Sequence, residues 1–282
     1  MKRNLIAALA LLPIAFLCAC LTSRPVQDTV ASDTVAAGQC IRTAKAFAND
    51  PANFQFAIMA DRTGGMRPGI FEEAAEKVNL LQPEFVMCVG DLIEGGTQDR
   101  GAIDRQWAEF NAIVDNLQMP FFYLPGNHDI TNQVMHEEWL RRFKLPYYHF
   151  TYKNVLFLCM NSQDPPSQNI SQEQSQYMAG ALAANPDVRW TFVLMHAPMW
   201  RTGKGWADVE KHLVGRPHTV FAGHYHTYAK EDRDGASYIV LATTGGASSL
   251  SGFDNGQFDH VVWVTMTDDG PVIANLLLDG IR

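Results

Sequence analysis

Cysteine is scarce: five residues in 282, at positions 18, 20, 40, 88 and 159. If Cys20 is taken up by another bond, Cys40, Cys88 and Cys159 cannot all pair within one chain, so no disulfide framework is expected. Cys88 and Cys159 fall inside apolar runs and are expected as buried free thiols. Basic charge is also short. Lys and Arg number 22 against 30 Asp and Glu, a net charge of −8 with a pI near 5.5, which argues against a broad surface for nucleic acid. No GxSxG elbow and no GKS loop occurs, leaving serine-hydrolase and P-loop NTPase chemistry without support. The N-terminal apolar run is too short to read as a spanning helix, and there is no internal repeat.

What is present is a chain that is 47% hydrophobic and 18% charged, the balance of a folded globular protein rather than a disordered one. Lys2 and Arg3, the apolar stretch from Leu5 to Leu17 and the small residues after it have the layout of an export signal over residues 1–19. Leu17-Cys18-Ala19-Cys20 resembles a bacterial lipobox, which makes Cys20 the candidate lipid attachment and the membrane a partner through it; cleavage without lipidation is the rival. The localisation expected is the bacterial cell envelope, periplasmic or outer-membrane anchored. Residues 20–50, rich in Thr, Ser, Ala, Gln and Asp without apolar period, read as a tether, and 51–282 as one domain.

From Phe54 onward, apolar runs alternate with amphipathic stretches. Strands are expected at 54–60, 85–89 and 121–124, with helices at 69–81 and 103–117 between them. Near-continuous apolar strands joined by helices imply a mainly parallel sheet buried on both faces. A helix at 134–143 precedes runs 147–152 and 155–160, which flank the tight-turn pair Lys153-Asn154. Beyond a helix at 172–184 the chain turns β-rich, with runs at 190–195, 219–222, 225–230, 237–243, 260–267 and 272–278. The economical arrangement is a single α/β domain of two packed sheets with outer helices.

Polar residues suited to chemistry recur where apolar strands end: Asp61 after FQFAIMA, Gly90-Asp91 after FVMCV, Gly126-Asn127-His128-Asp129 after FFYLP, His196 after TFVLM, and Gly223-His224-Tyr225-His226 after TVFA. Ligands in α/β sheets bind outside the carboxyl ends of strands, so these tips can converge on one cleft. Each alone reads as a turn residue or a hydrogen-bonded structural group. Together, carboxylate, amide oxygen and imidazole suit Mn, Fe or Zn better than an all-oxygen calcium site. The remaining histidines, at 136, 149, 212, 218 and 260, are read as structural, and Met59, Met87, Met160 and Met195 as core filler.

In their order, GD, GNHD, a downstream His after an apolar strand and GHxH resemble the calcineurin-like metallophosphoesterase superfamily over Asp61 to His226. The resemblance implies a four-layer α-β-β-α sandwich of two mixed sheets and two divalent metal ions. Asp61, Asp91 and His226 would hold the first ion, and Asp91, Asn127, His196 and His224 the second, with Asp91 bridging. His128 would contact the phosphate and assist the leaving oxygen, its ring oriented by Asp129. The activity implied is hydrolysis of a phosphorylated substrate, mono- or diester, by direct attack of a metal-bound hydroxide on phosphorus.

The family's usual first motif, Asp-x-His, is here Asp61-Arg62-Thr63, so an imidazole is missing and the first metal site is expected to be weak or completed by water. Glu94 is a candidate replacement ligand; capping of a loop is its ordinary alternative. Arg62 is a candidate phosphate contact or else a surface charge. The stretch Trp200 to Trp206 is either a mobile substrate wall or two tryptophans packed over an edge. Gly64-Gly65 and Gly245-Gly246 read as tight turns. The rival to an enzyme is a degenerate metal- or phosphate-binding lipoprotein of the same fold.

Overall fold

The computed structural model describes residues 50–280 apart from 165 and 166; the expected signal, Cys20, Cys40 and the tether up to residue 49 lie outside the described residues. In chain order the elements are β1 (Phe54–Met59), α1 (Ile70–Leu81), β2 (Phe85–Cys88), α2 (Arg100–Val114), β3 (Phe121–Phe122), α3 (Gln133–Phe143), β4 (Tyr148–Tyr152), β5 (Val155–Cys159), α4 (Gln172–Ala184), β6 (Trp190–Leu194), α5 (Met199–Thr202), α6 (Trp206–Glu210), β7 (His218–Ala222), β8 (Ala229–Arg233), β9 (Ala236–Val240), β10 (His260–Thr267) and β11 (Gly270–Leu277).

They build two mixed sheets flanked by helices, one ordered β11-β10-β1-β2-β3 and the other β4-β5-β6-β7-β9-β8. Parallel pairing runs through β1-β2-β3 and β5-β6-β7-β9, while β10, β11, β4 and β8 add antiparallel margins. The alternation of side chains along a strand explains why β5 reads VLFLC without a polar residue. Phe157 and Cys159 face the other sheet, and Leu156 and Leu158 face the helices. Between the sheets, Phe56 of β1 lies 5.3 Å from Phe157 and 5.1 Å from Phe192, and Phe85 of β2 lies 5.5 Å from Phe157. On the outer faces, Phe71 of α1, Phe110 of α2 and Trp139 of α3 cover the first sheet, and Met178 of α4 and Val209 of α6 cover the second.

Local chemistry sets the boundaries. Asp99 caps α2 by accepting from the Gly101 amide, Asn132 caps α3 through Val134 and Met135, and Ser171 caps α4 through Gln174. Lys153 and Asn154 sit at φ 43° and 58°, the paired positive angles that a two-residue hairpin requires between β4 and β5. Cys88 and Cys159 are buried free thiols, and burial pushes both pKa values up, that of Cys159 to about 12.

The expected strand at 225–230 is displaced. His224 and His226 take φ of 75° and 51°, which breaks the extended path, so β8 begins only at Ala229. The stretch from Trp200 to Trp206 is not an open wall. Trp200 and Trp206 belong to α5 and α6, both are buried, and their rings lie 5.3 and 6.3 Å from Tyr238. The four core methionines, at 59, 87, 160 and 195, are buried as expected.

His260, at the start of β10, is locked in one tautomer. The Ala242 amide donates to its Nε2 at 3.1 Å, and its Nδ1–H donates to Asn275 Oδ1 at 3.1 Å. Burial lowers its pKa from the ordinary 6.5 to about 4. Below pH 6.5 the unfolded ring takes a proton that the folded ring refuses, so stability is full above that pH and falls as pH drops towards 4, by up to about 3 kcal/mol. Urea midpoints at pH 7 and pH 4.5 should show this loss, and His260→Gln, which keeps a donor and an acceptor without titrating, should reduce it. Parallel curves for the two proteins would reject the assignment.

Candidate metal centre

All the strand-end residues singled out above meet at one edge of the two sheets. Asp61 follows β1, Asp91 follows β2, Asn127 and His128 follow β3, His196 follows β6, and His224 and His226 follow β7. Four of them leave the strand at positive φ: Asp61 at 46°, Asp91 at 58°, His224 at 75° and His226 at 51°. Such angles cost roughly 1–3 kcal/mol each for residues with side chains and persist where the surroundings enforce them, as at functional sites. Two glycines make room. A Cβ on Gly126 would overlap Asp91 Oδ1, and one on Gly223 would overlap Asp61 Oδ2, so both carboxylates lie against bare backbone.

His196 is fully buried, and its Nδ1–H donates to the Val89 carbonyl at 2.9 Å, which turns Nε2 towards the centre. Around Nε2 stand Asn127 Oδ1 at 2.9 Å, Asp91 Oδ2 at 3.2 Å and His224 Nδ1 at 3.2 Å. His226 is arranged likewise: its Nδ1–H donates to the Ala247 carbonyl at 2.7 Å, and Nε2 lies 3.6 Å from Asp61 Oδ1. One ligand atom each from Asp61, Asp91 and His226 falls within 4.8 Å of the others, a possible metal site. The second oxygen of Asp61 is buried without a hydrogen-bond partner.

This is a convergence of lone pairs that only positive charge satisfies. The titration of the bare ligands says the same. Burial opposes charge on His196, but Asp91 outweighs it and raises the imidazole to about 9, while the His196 charge overcomes burial to lower Asp91 to about 2. A proton thus stands where a cation fits. The orphaned Asp61 oxygen, the glycine-lined carboxylates and the mixed oxygen and nitrogen donors all match a divalent transition ion.

One expectation for a neighbouring residue is corrected, that for Asp129, and two left open, for Arg62 and Glu94, are decided. Asp129 does not orient the His128 ring; its carboxylate accepts from the backbone amides of Asp91, Leu92, Ile93 and Gly126 at 2.8 to 3.1 Å. Burial and the Asp91 charge push its carboxyl up, to about 7, against the Gly126, Ile93 and Leu92 amides that hold it down. The His128 ring is held instead by the Glu94 carbonyl, 2.7 Å from Nδ1. Arg62 turns away from the cleft: it is 3% exposed, donates to the Leu92 carbonyl, pairs with Glu109 and lies over the Phe110 ring. Glu94 spends one carboxylate oxygen on the Gly65 and Met66 amides, so it caps a loop rather than completing the metal shell.

Thr63, standing where the resemblance expects His, donates its hydroxyl to the Asp91 and Ile93 carbonyls and receives the Asp91 loop as a brace. Residues not singled out by the sequence also contribute. Thr243 Oγ donates to the Asp61 carbonyl at 2.7 Å, and Val89, Glu94 and Ala247 act through main-chain carbonyls, which carry no side-chain signature.

Two mixed sheets flanked by helices thus carry carboxylate, amide and imidazole donors gathered at their carboxyl ends. The chain belongs to the calcineurin-like phosphoesterase family, whose model matches residues 29–228. Among curated relatives it is 29% identical over 204 residues to the human serine/threonine-protein phosphatase CPPED1, covering 62% of this chain and 64% of that protein. It is 24% identical over 196 residues to the 3',5'-cyclic adenosine monophosphate phosphodiesterase CpdA of Haemophilus influenzae, covering 61% and 65%. The chain thus spans just under two thirds of the length of these relatives. Its fold resembles a dimetal phosphatase from Danio rerio at TM-score 0.60 and 15% identity, over 81% of this chain and 97% of that one. It also resembles a purple acid phosphatase from yellow lupin at TM-score 0.61 and 16% identity, over 82% and 52%.

Proposed function

We propose that this chain is an exported, metal-dependent phosphoesterase acting on phosphomonoesters or phosphodiesters. The observation that carries the reading is the set of oxygen and nitrogen donors from Asp61, Asp91, Asn127, His196, His224 and His226 gathered at one place, in a chain of this family. In this reading Asp61, Asp91 and His226 hold one divalent ion, and Asp91, Asn127, His196 and His224 a second. When bound, the ions supply Lewis-acid charge to the phosphoryl oxygens and lower the pKa of the attacking water. The protein's own groups do the rest. The Val89 and Ala247 carbonyls accept from Nδ1 of His196 and His226, so that Nε2 is the nitrogen each ring turns towards the ions. His128, its Nδ1–H on the Glu94 carbonyl, has Nε2 left to contact the phosphate and assist the leaving oxygen.

The test is metal content per chain together with turnover of an aryl phosphate monoester and diester, with and without added Mn. Near two metals and Mn-stimulated hydrolysis are expected; no turnover across Mn, Fe and Zn would leave the second reading, a binding protein, which the Thr63 position favours. His128→Ala should retain its metals and lose roughly 10²-fold in kcat, least on substrates with good leaving groups. Loss of metal in that variant would contradict the role given to the ring.

Export and lipidation at Cys20 belong to the same proposal and rest on the leader and the lipobox-like residues. Expressed in a bacterium, the full chain should partition with membranes, and Cys20→Ala should move it to the soluble envelope fraction.

A further inference from the structure

A cavity of about 390 Å³ borders the metal centre, and Asn127 belongs to both. It is lined from the start of α3 by Thr131, Gln133 and His136, and from the loop after β5 by Gln163 and Ser167. Among the described residues that line it there is no carboxylate, Lys or Arg side chain, and Ile130 is the one apolar residue. Its size suits a small organic group, for which ligand pockets run from roughly 300 Å³ upward.

The chemistry of that lining is selective. A second phosphate or a carboxylate would find no cation, and an aryl or acyl group would desolvate amides and hydroxyls without return. A hydroxyl both donates and accepts, as do the neutral amides and imidazole around it. Much of the lining is already committed. Thr131 Oγ donates to the Asn127 and His128 carbonyls, and Ser167 Oγ donates to Gln163 Oε1. The His136 ring is different: it was expected to be structural, yet among the described residues it makes no hydrogen bond and stands half-buried in the cavity wall. Gln133 uses its Nε2 on Glu137 and keeps its oxygen.

We infer that this cavity receives the organic part of the substrate, and that this part is an uncharged polyol of sugar size, with His136 and Gln133 reading its hydroxyls. The inference rests on the phosphoesterase reading above and adds the substrate class to it. His136 is thereby a specificity residue outside the metal shell.

The experiment compares kcat/KM of the Mn-loaded chain for glucose 6-phosphate, p-nitrophenyl phosphate and a phosphoserine peptide, in wild type, His136→Phe and Gln133→Ala. Unchanged melting and metal content screen the variants for folding. The sugar phosphate should be preferred, and His136→Phe should lower its kcat/KM by about tenfold or more. The aryl phosphate should change by less than about twofold, because it leaves the cavity unfilled. Gln133→Ala should act in the same direction, and a non-hydrolysable glucose 6-phosphonate should inhibit aryl phosphate turnover more weakly in both variants. Equal effects on all three substrates would overturn the inference while leaving the phosphoesterase reading intact. So would a peptide preference indifferent to His136→Phe. Failure to turn over even the aryl phosphate would remove the reading beneath it.

Discussion

Asp91→Ala should abolish phosphoester hydrolysis, a loss of about 10⁴-fold or more, equivalent to some 5 kcal/mol in the barrier, and should strip the centre of its metal. The carboxylate is 2% exposed and does three things at once. Its Oδ1 accepts from the His128 amide at 2.9 Å, which places the ring next to the site. Its Oδ2 stands 3.2 Å from His196 Nε2, and it belongs to the group with Asp61 and His226 within 4.8 Å. Without it His196 loses the charge that raises its imidazole, and the two proposed sets of ligands lose the one group they would share. Metal analysis and turnover of an aryl phosphate check the prediction; full metal content with surviving activity would remove Asp91 from the bridging role. Asp91→Asn is the informative companion. It preserves shape and an acceptor for His128 but loses the charge and replaces the second oxygen by an NH₂ that cannot ligate, so its deficit measures the bridge without the damage of truncation.

The positions of these ligands were legible because each apolar run ends on a polar residue, and a strand buried on both faces has to end where the chain reaches water. That reasoning needs no knowledge of what lies across the sheet. Arg62 shows its limit. Next to Asp61 it reads as a phosphate contact, but its direction is set by Glu109, 47 residues further on, and by the Phe110 face on α2. Glu94 is similar, since the Gly65 and Met66 amides that claim it become neighbours only when the β1 and β2 ends come together. His136 is a third case. A histidine on an amphipathic helix reads as structural, and only the packing of the β5 loop leaves its ring in a cavity. The carbonyls of Val89, Glu94 and Ala247 were invisible in principle, because every residue has one.

Asp129→Ala should be among the most destabilising single substitutions in the domain, about 4 kcal/mol or more, although Asp129 is not a candidate ligand. The side chain is 1% exposed, and its oxygens satisfy amides of Asp91, Leu92, Ile93 and Gly126. Truncation leaves these N–H groups buried without acceptors, each costing roughly 1–3 kcal/mol where water does not enter. For a domain of this size the corresponding fall in Tm is on the order of 10 °C. The consequence reaches the site, because these amides hold the turn in which Asp91 takes its positive φ and Gly126 lies against it. Asp129→Asn keeps one oxygen but turns an NH₂ towards amides that also donate, so it should fall between wild type and alanine in stability. Both variants should lose metal affinity in proportion to their loss of stability. Thermal melts and metal titration of the two proteins separate this from a direct role: if Asp129→Asn melts like wild type yet binds metal poorly, the carboxylate acts on the centre through its charge rather than by holding the turn.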